Sequence, residues 1–198
     1  MDRESSVKQS IVALCHQLYE KGFVVANDGN VSIREGAGIY VTGAGTYFAR
    51  MDESQVVKVN ESGEISSGGP SGVRPTSEIA MHLEVYRRRK EIRAVIHAHS
   101  PYATAFSMAG RERIDCMLTE MRYTLGSVPI APFARPGTEE VPLSIRDLVK
   151  DHDALILSNH GVVTLGRSLD EAYWNLERVE HFARVCYLAL TLKKGNRS

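Results

Sequence analysis

What this chain goes without narrows its chemistry before any motif is read. No stretch of it approaches the roughly 18–20 consecutive apolar residues of a membrane span. The opening Met-Asp-Arg-Glu-Ser-Ser has neither the charged nor the apolar region of a signal peptide. A cytoplasmic protein with no membrane partner is the expectation. Charge of one sign is not in excess either: 24 Lys and Arg balance 24 Asp and Glu, so no global field draws in nucleic acid or an anionic surface. Cysteine is scarce. Cys15, Cys116 and Cys186 are odd in number, far apart and in apolar surroundings, which fits buried reduced thiols better than a disulfide framework or a Cys-x-x-Cys metal knuckle. The Gly-Lys-Ser/Thr of a P-loop is missing, and Gly43-Ala44-Gly45-Thr46 lacks the third glycine of a dinucleotide fingerprint. With no internal repeat, low-complexity tract or linker, 1–198 reads as a single domain.

Histidine, in contrast, is patterned. Ala94, Val95 and Ile96 are β-prone, and side chains two apart on a strand face the same way, so His97 and His99 should project side by side. Taken alone, His-x-His fits two readings equally: a core histidine beside a loop histidine, or half of a metal site. An open catalytic zinc site takes about three protein ligands and keeps a place for water or substrate, so more donors must come from elsewhere. His160 stands at the end of the apolar run Ala154-Leu155-Ile156-Leu157, on the turn Ser158-Asn159-His160-Gly161, and is well placed to be a third imidazole. His16, His82, His152 and His181 fall on helices or helix ends and read as surface or packing residues.

Apolar periodicity supplies the scaffold. Val7, Ile11, Leu14, Cys15 and Leu18 recur at helical spacing, with Ser5 or Ser6 as cap and Gly22 as stop. Strands are expected over residues 31–34, 38–42 and 55–59, then a hairpin-like turn at 60–63. A glycine-containing loop over 66–74 ends at Pro75-Thr76-Ser77-Glu78, where Thr76 or Ser77 caps a helix carrying Met81, Leu83, Val85 and Tyr86. Hydroxyls and free N–H groups at such a helix start suit an anion. The Gly43–Thr46 segment is an ordinary turn or a second wall of that anion cradle. Glu78, placed in the first helical turn, is either a helix-dipole partner or a carboxylate projecting into the same cleft. The run Arg87-Arg88-Arg89-Lys90 reads as a solvated helix end without a role. Further along come a short helix at 101–109, an ambiguous stretch at 111–126, a strand near a sheet edge at 128–131 and a helix at about 142–151. Buried strands at 154–157 and 162–165 follow, and a capping box at Ser168–Glu171 opens a long final helix.

Five motifs in order, Gly29-Asn30-Val31-Ser32, Thr42-Gly43, Pro75-Thr76-Ser77-Glu78, His97-Ala98-His99 and Asn159-His160-Gly161, resemble those of the class II aldolase/adducin family, and within it the L-fuculose-1-phosphate aldolase-like proteins. The resemblance covers about residues 5–192. It implies an α/β fold, a three-layer α/β/α domain with a central, mainly antiparallel sheet, in a homotetramer with active sites at subunit interfaces. It also implies Zn²⁺ (or Mn²⁺ or Co²⁺) held by His97, His99 and His160, with Glu78 a ligand at rest and then the catalytic base. Gly29, Asn30, Thr42, Gly43, Thr76 and Ser77 match the family's phosphate pocket. The implied reaction is reversible aldol cleavage of a phosphorylated ketose to dihydroxyacetone phosphate and an aldehyde, in which the metal acts as a Lewis acid.

Relatives within the fold also decarboxylate or epimerise sugar phosphates, and an adducin-like scaffold keeps the fold without catalysis. The glutamate at 78 favours aldol cleavage, and the complete ligand set disfavours a scaffold. Two features depart from the fuculose-type pattern. That enzyme carries a C-terminal tail with a proton-donating tyrosine, whereas this chain stops just after its last helix. Its second tyrosine falls near Thr119, with Glu120, Arg122 and Tyr123 as neighbouring candidates.

Overall fold

A computed structural model describes residues 2–66, 72–114 and 118–195. Cys116 and most of the expected 66–74 loop lie outside the described residues. The elements in chain order are α1 (Arg3–Glu20), β1 (Asn30–Glu35), β2 (Gly38–Thr42), β3 (Val56–Val59), α2 (Ile79–Arg88), β4 (Ala94–Ala98), α3 (Pro101–Met108), β5 (Arg113–Ile114), α4 (Thr119–Thr124), β6 (Val128–Ala131), α5 (Glu140–Ile145), β7 (Ala154–Leu157), β8 (Gly161–Gly166) and α6 (Leu169–Gly195). The strands form one eight-stranded sheet in the order β3-β2-β1-β4-β8-β7-β6-β5. Only β6 with β7 is parallel among the described pairings, so the fold is α/β with a mainly antiparallel sheet. No described helix is long and apolar enough to cross a membrane.

Helices cover both faces of the sheet, and the two-residue period of β4 shows how. Ala94, Ile96 and Ala98 join one core with α1, α3 and α6, whose Leu14, Leu18, Leu176 and Phe182 are buried there. Val95 joins the other, with Met81, Leu83 and Val85 of α2 and Val141 and Ile145 of α5. Each fully buried Leu or Ile contributes roughly 1.5–3 kcal/mol of transfer free energy. These contributions hold the centre of the sheet, where β4 lies between β1 and β8, as a rigid platform. His97 and His99 follow Val95 in phase and therefore emerge on the α2 side.

Several expectations change in the structure. Neither Ser5 nor Ser6 caps α1: Asp2 holds the N-cap position, and the Ser5 hydroxyl donates to Glu53 at 3.0 Å. The helix does stop at Gly22, at φ +69°. The Gly22 N–H reaches the Tyr19 carbonyl and the Phe23 N–H the Leu18 carbonyl, the pairing of a Schellman turn. α2 begins later than expected, at Ile79, which makes Glu78 its N-cap residue instead of a first-turn residue. α5 starts at Glu140, because Pro142 is tolerated in a first turn whose N–H groups lack helical partners. A separate 3₁₀ turn covers Leu148–Lys150. The ambiguous stretch holds β5 and α4; β6 lies near the sheet edge as expected, with β5 outside it.

The basic run is not an idle helix end. Arg88 and Arg146 both hold buried Glu84, at 2.9 and 2.8 Å, joining α2 to the segment after α5. Arg89 donates to the Val149 carbonyl and to Asp153. Burial alone raises the Glu84 pKa, but the hydrogen bonds from Arg88 and Arg146 outweigh it and leave the carboxyl below its ordinary range.

Candidate functional site

Three backbone devices bring the site residues together. Pairing of β1 with β4 sets Asn30 opposite His97, and pairing of β4 with β8 sets His97 opposite Val163. The Schellman turn of α1 presents the Phe23 carbonyl to the His99 N–H at 2.9 Å, which fixes the backbone just past the end of β4. The segment before α2 lies along the end of β2: the Thr76 N–H donates to the Thr42 carbonyl, the Ala44 N–H to the Arg74 carbonyl, and Gly43 bridges Pro75. Glu78 is thereby carried over the end of β4.

His160 arrives on the β7–β8 turn, where Asn159 takes a left-handed conformation at φ +56° and donates its N–H to Ser107 at 3.0 Å. Gly161 next to it is required by contact. A Cβ there would lie 2.5 Å from Cδ2 of His99 and 2.6 Å from the Ala98 carbonyl oxygen. Only a residue without a side chain lets β8 bring His160 this close to the other two imidazoles.

The three imidazoles face one another with ring centroids 4.7–5.0 Å apart, and one ligand nitrogen from each lies within 4.8 Å of the others. His97 is fully buried, and its Nδ1–H donates to the Val162 carbonyl at 3.0 Å. A neutral imidazole has one N–H, so Nε2 of His97 is a bare lone pair. Its nearest polar neighbours are Nε2 of His99 at 3.1 Å and Oε2 of Glu78 at 3.2 Å. Glu78 Oε1, 3.8 Å from Nε2 of His160, is buried without a partner, as is Nδ1 of His160.

A proton is a poor way to satisfy His97 or His99. Burial first, and then the neighbouring His99 and His160, hold the His97 pKa well below the ordinary histidine value. Burial and His160 lower that of His99. Three imidazoles and the carboxyl group of a glutamate drawn together are donor types of a divalent metal site, and these residues could hold one.

An open cleft of about 250 Å³ runs from His99, His160 and Glu78 past Gly29, Asn30, Gly43, Thr76 and Ser77. Thr42, also expected there, stands behind the wall, and its hydroxyl accepts the Val31 N–H at 3.2 Å. The Gly43 N–H is already bonded to the Gln55 carbonyl, so Gly43 contributes space and not a donor. The Thr76 hydroxyl accepts the Glu78 N–H at 3.3 Å and keeps its own hydrogen to donate. Asn30 lines the cleft, but its amide is turned onto Glu78 and His82.

Asn27, Asp28 and the Pro136-Gly137 pair also line the cleft, and sequence reasoning does not single them out. The Asn27–Asn30 turn signal is visible, whereas Pro136-Gly137 is brought over Ser77 by tertiary folding alone. Glu120, Arg122 and Tyr123 on α4 are exposed and do not line the cleft. His82, expected as a surface or packing residue, is fully buried one bond away from Asn30, and burial lowers its pKa to about 3. Its spacing four residues after Glu78 is the available signal, since side chains four apart share a helical face.

Comparison with known proteins places these features among relatives. The model of the class II aldolase and adducin N-terminal domain matches residues 9–187. The chain is 34% identical to the L-fuculose phosphate aldolase of Methanococcus maripaludis strain C7, over 93% of this chain and 98% of that one. It is 30% identical to the 3-oxo-tetronate 4-phosphate decarboxylase of Escherichia coli strain K12, over 93% and 88%. The crystal structure of L-fuculose-1-phosphate aldolase from Thermus thermophilus superposes with a TM-score of 0.83 at 29% identity, over 96% of both chains.

Proposed function

The chain belongs to the class II aldolase and adducin family, and from that premise we propose that it is a metal-dependent lyase that breaks a carbon–carbon bond in a phosphorylated sugar by reversible aldol cleavage to dihydroxyacetone phosphate and an aldehyde. The observation that carries this reading is the convergence of the His97, His99 and His160 nitrogens with an unpartnered oxygen of Glu78 at one end of a cleft. His97, His99, His160 and Glu78 would hold a divalent cation, zinc in our reading, which would supply Lewis-acid polarisation of the substrate.

The chain's own residues do the remaining work. The hydroxyls of Thr76 and Ser77, at the positive end of α2, hold the phosphate and set the sugar carbons against the histidines. Gly29 and Gly43 leave room for it. Glu78 accepts the proton of the substrate hydroxyl as the carbon–carbon bond opens and passes it to the carbon left with the electron pair, completing dihydroxyacetone phosphate; in the reverse direction it removes that carbon-bound proton and returns it to the new hydroxyl. Burial keeps bulk water from competing for that oxygen. We further propose the homotetramer implied by the family resemblance. It would set the exposed Glu120–Tyr123 segment at a neighbour's cleft, where Arg122 or Tyr123 would donate a hydrogen bond to the oxygen of the aldehyde, and analytical ultracentrifugation measures the assembly.

A decarboxylase is the second reading, favoured by the 30% identity to the 3-oxo-tetronate 4-phosphate enzyme. The two readings share the electron sink and differ in the fragment that leaves. The deciding experiment incubates zinc-loaded protein with phosphorylated ketoses and with phosphorylated 3-oxo acids, assaying dihydroxyacetone phosphate and carbon dioxide. Dihydroxyacetone phosphate released from ketoses supports the aldolase, and carbon dioxide from the acids supports the decarboxylase. Turnover of the non-phosphorylated analogues at an equal kcat/KM would remove the phosphate pocket from the proposal.

A further inference from the structure

Behind Glu78 runs a buried seam of polar side chains with no part in the mechanism above. On α2 and its N-cap, Glu78, His82 and Tyr86 recur every fourth residue; on β1, Asn30, Ser32 and Arg34 recur every second. The two stripes face each other and interlock. Asn30 Nδ2 donates to Glu78 Oε2 at 2.9 Å, Asn30 Oδ1 meets His82 Nε2 at 2.5 Å, His82 Nδ1 meets the Ser32 hydroxyl at 2.7 Å, and that hydroxyl meets Tyr86 Oη at 2.8 Å. Arg34 closes the far end, with its guanidinium 4.8 Å from the Tyr86 ring centre and bonded to the Tyr86 carbonyl. Asn30, Ser32, His82 and Tyr86 are all buried.

The direction of every bond in this seam follows from its first member. A carboxylate only accepts, so the Asn30 amide must turn its NH₂ to Glu78 and its oxygen to His82. His82 must then carry its proton on Nε2, which leaves Nδ1 to accept from Ser32. The Ser32 oxygen in turn accepts from Tyr86, whose alternative acceptor, the Arg93 carbonyl, is 3.5 Å away. An amide does not pass protons on, so the seam orients and does not conduct.

We infer that His82, backed by Ser32 and Tyr86, is a positioning residue that locks the Asn30 amide onto Oε2 of Glu78 and so reserves Oε1 for the substrate proton. This rests on the role proposed for Glu78. Without the Nε2–H of His82, Asn30 loses the group that distinguishes its two orientations, and the carboxylate is free to rotate away from the histidines.

The experiment has arms that do and do not need turnover. Nitrogen-15 NMR of the zinc-loaded, histidine-labelled protein near neutral pH should show His82 with a protonated Nε2 and a bare Nδ1; the opposite tautomer, or an imidazolium, overturns the inference. His82→Leu should lower both zinc affinity and kcat by about 10–100-fold, with KM for the phosphorylated substrate nearly unchanged. His82→Gln, which keeps an N–H donor, should recover most of the loss. A folded His82→Leu protein with normal zinc affinity and kcat overturns the inference. If His82→Leu does not fold, the NMR result on the unmodified protein decides. If the unmodified protein cleaves no sugar phosphate, the proposed reaction fails while the tautomer and zinc affinity still judge the seam.

Discussion

The two oxygens of Glu78 have different neighbours, and that difference decides what a single substitution does. Oε2 is held by Asn30 and faces His97, while Oε1 is buried and unpartnered. A carboxylate serving only the helix dipole would be expected to engage the N–H groups of its own helix, and Glu78 makes no such side-chain bond to α2. Glu78→Gln should therefore do little to stability yet lower kcat by about 10²–10⁴-fold, the usual cost of losing a general base. Because glutamine also weakens a metal site, turnover must be measured at saturating zinc, with KM followed separately. Near-normal kcat in a folded, metal-loaded variant would assign the base elsewhere.

At the scale of elements, the β7–β8 turn is the tightest joint in the site. Gly161→Ala puts a methyl group within 2.6 Å of both the His99 ring and the Ala98 carbonyl oxygen, and the carbonyl belongs to a strand paired on both sides. Such overpacking costs about 1–3 kcal/mol, and relief by displacement moves His99 or His160 off the common point. The variant should melt at a lower temperature and retain less than one zinc per chain; full zinc content at an unchanged Tm would mean that β8 can shift freely. This joint also separates what sequence could reveal from what it could not. Period-two and helical patterns mark the sheet strands other than β5 and the long helices, and strand spacing alone aims His97 and His99 together. The capping box at Ser168 formed only in part, with the Ser168 hydroxyl accepting the Glu171 N–H but the Glu171 carboxylate reaching Arg167. The role of His82, signalled only by its spacing from Glu78, and the displacement of Thr42 escape sequence reading for a shared reason. Their roles depend on the rotation of α2 against β1 and on which side of β2 faces the cleft, and those are settled by packing between elements distant in the chain.

For the molecule as a whole, the register Asn30–His97–Val163 means that the donor set is not written into any local segment. β1, β4 and β8 must already be paired, across separations of more than sixty residues, before the three histidines and Glu78 can face one point. Closing chain loops of that length precedes the contacts that reward it, so a metal would find no complete site until the centre of the sheet exists. It follows that capture of the proposed metal would be a late event in folding and not its trigger, the reverse of a zinc finger. Refolding from denaturant should proceed at the same rate in excess chelator as in Co²⁺, with the cobalt absorption band appearing no earlier than native tryptophan fluorescence. Acceleration by the metal would instead mean that a partial ligand set gathers in the unfolded chain.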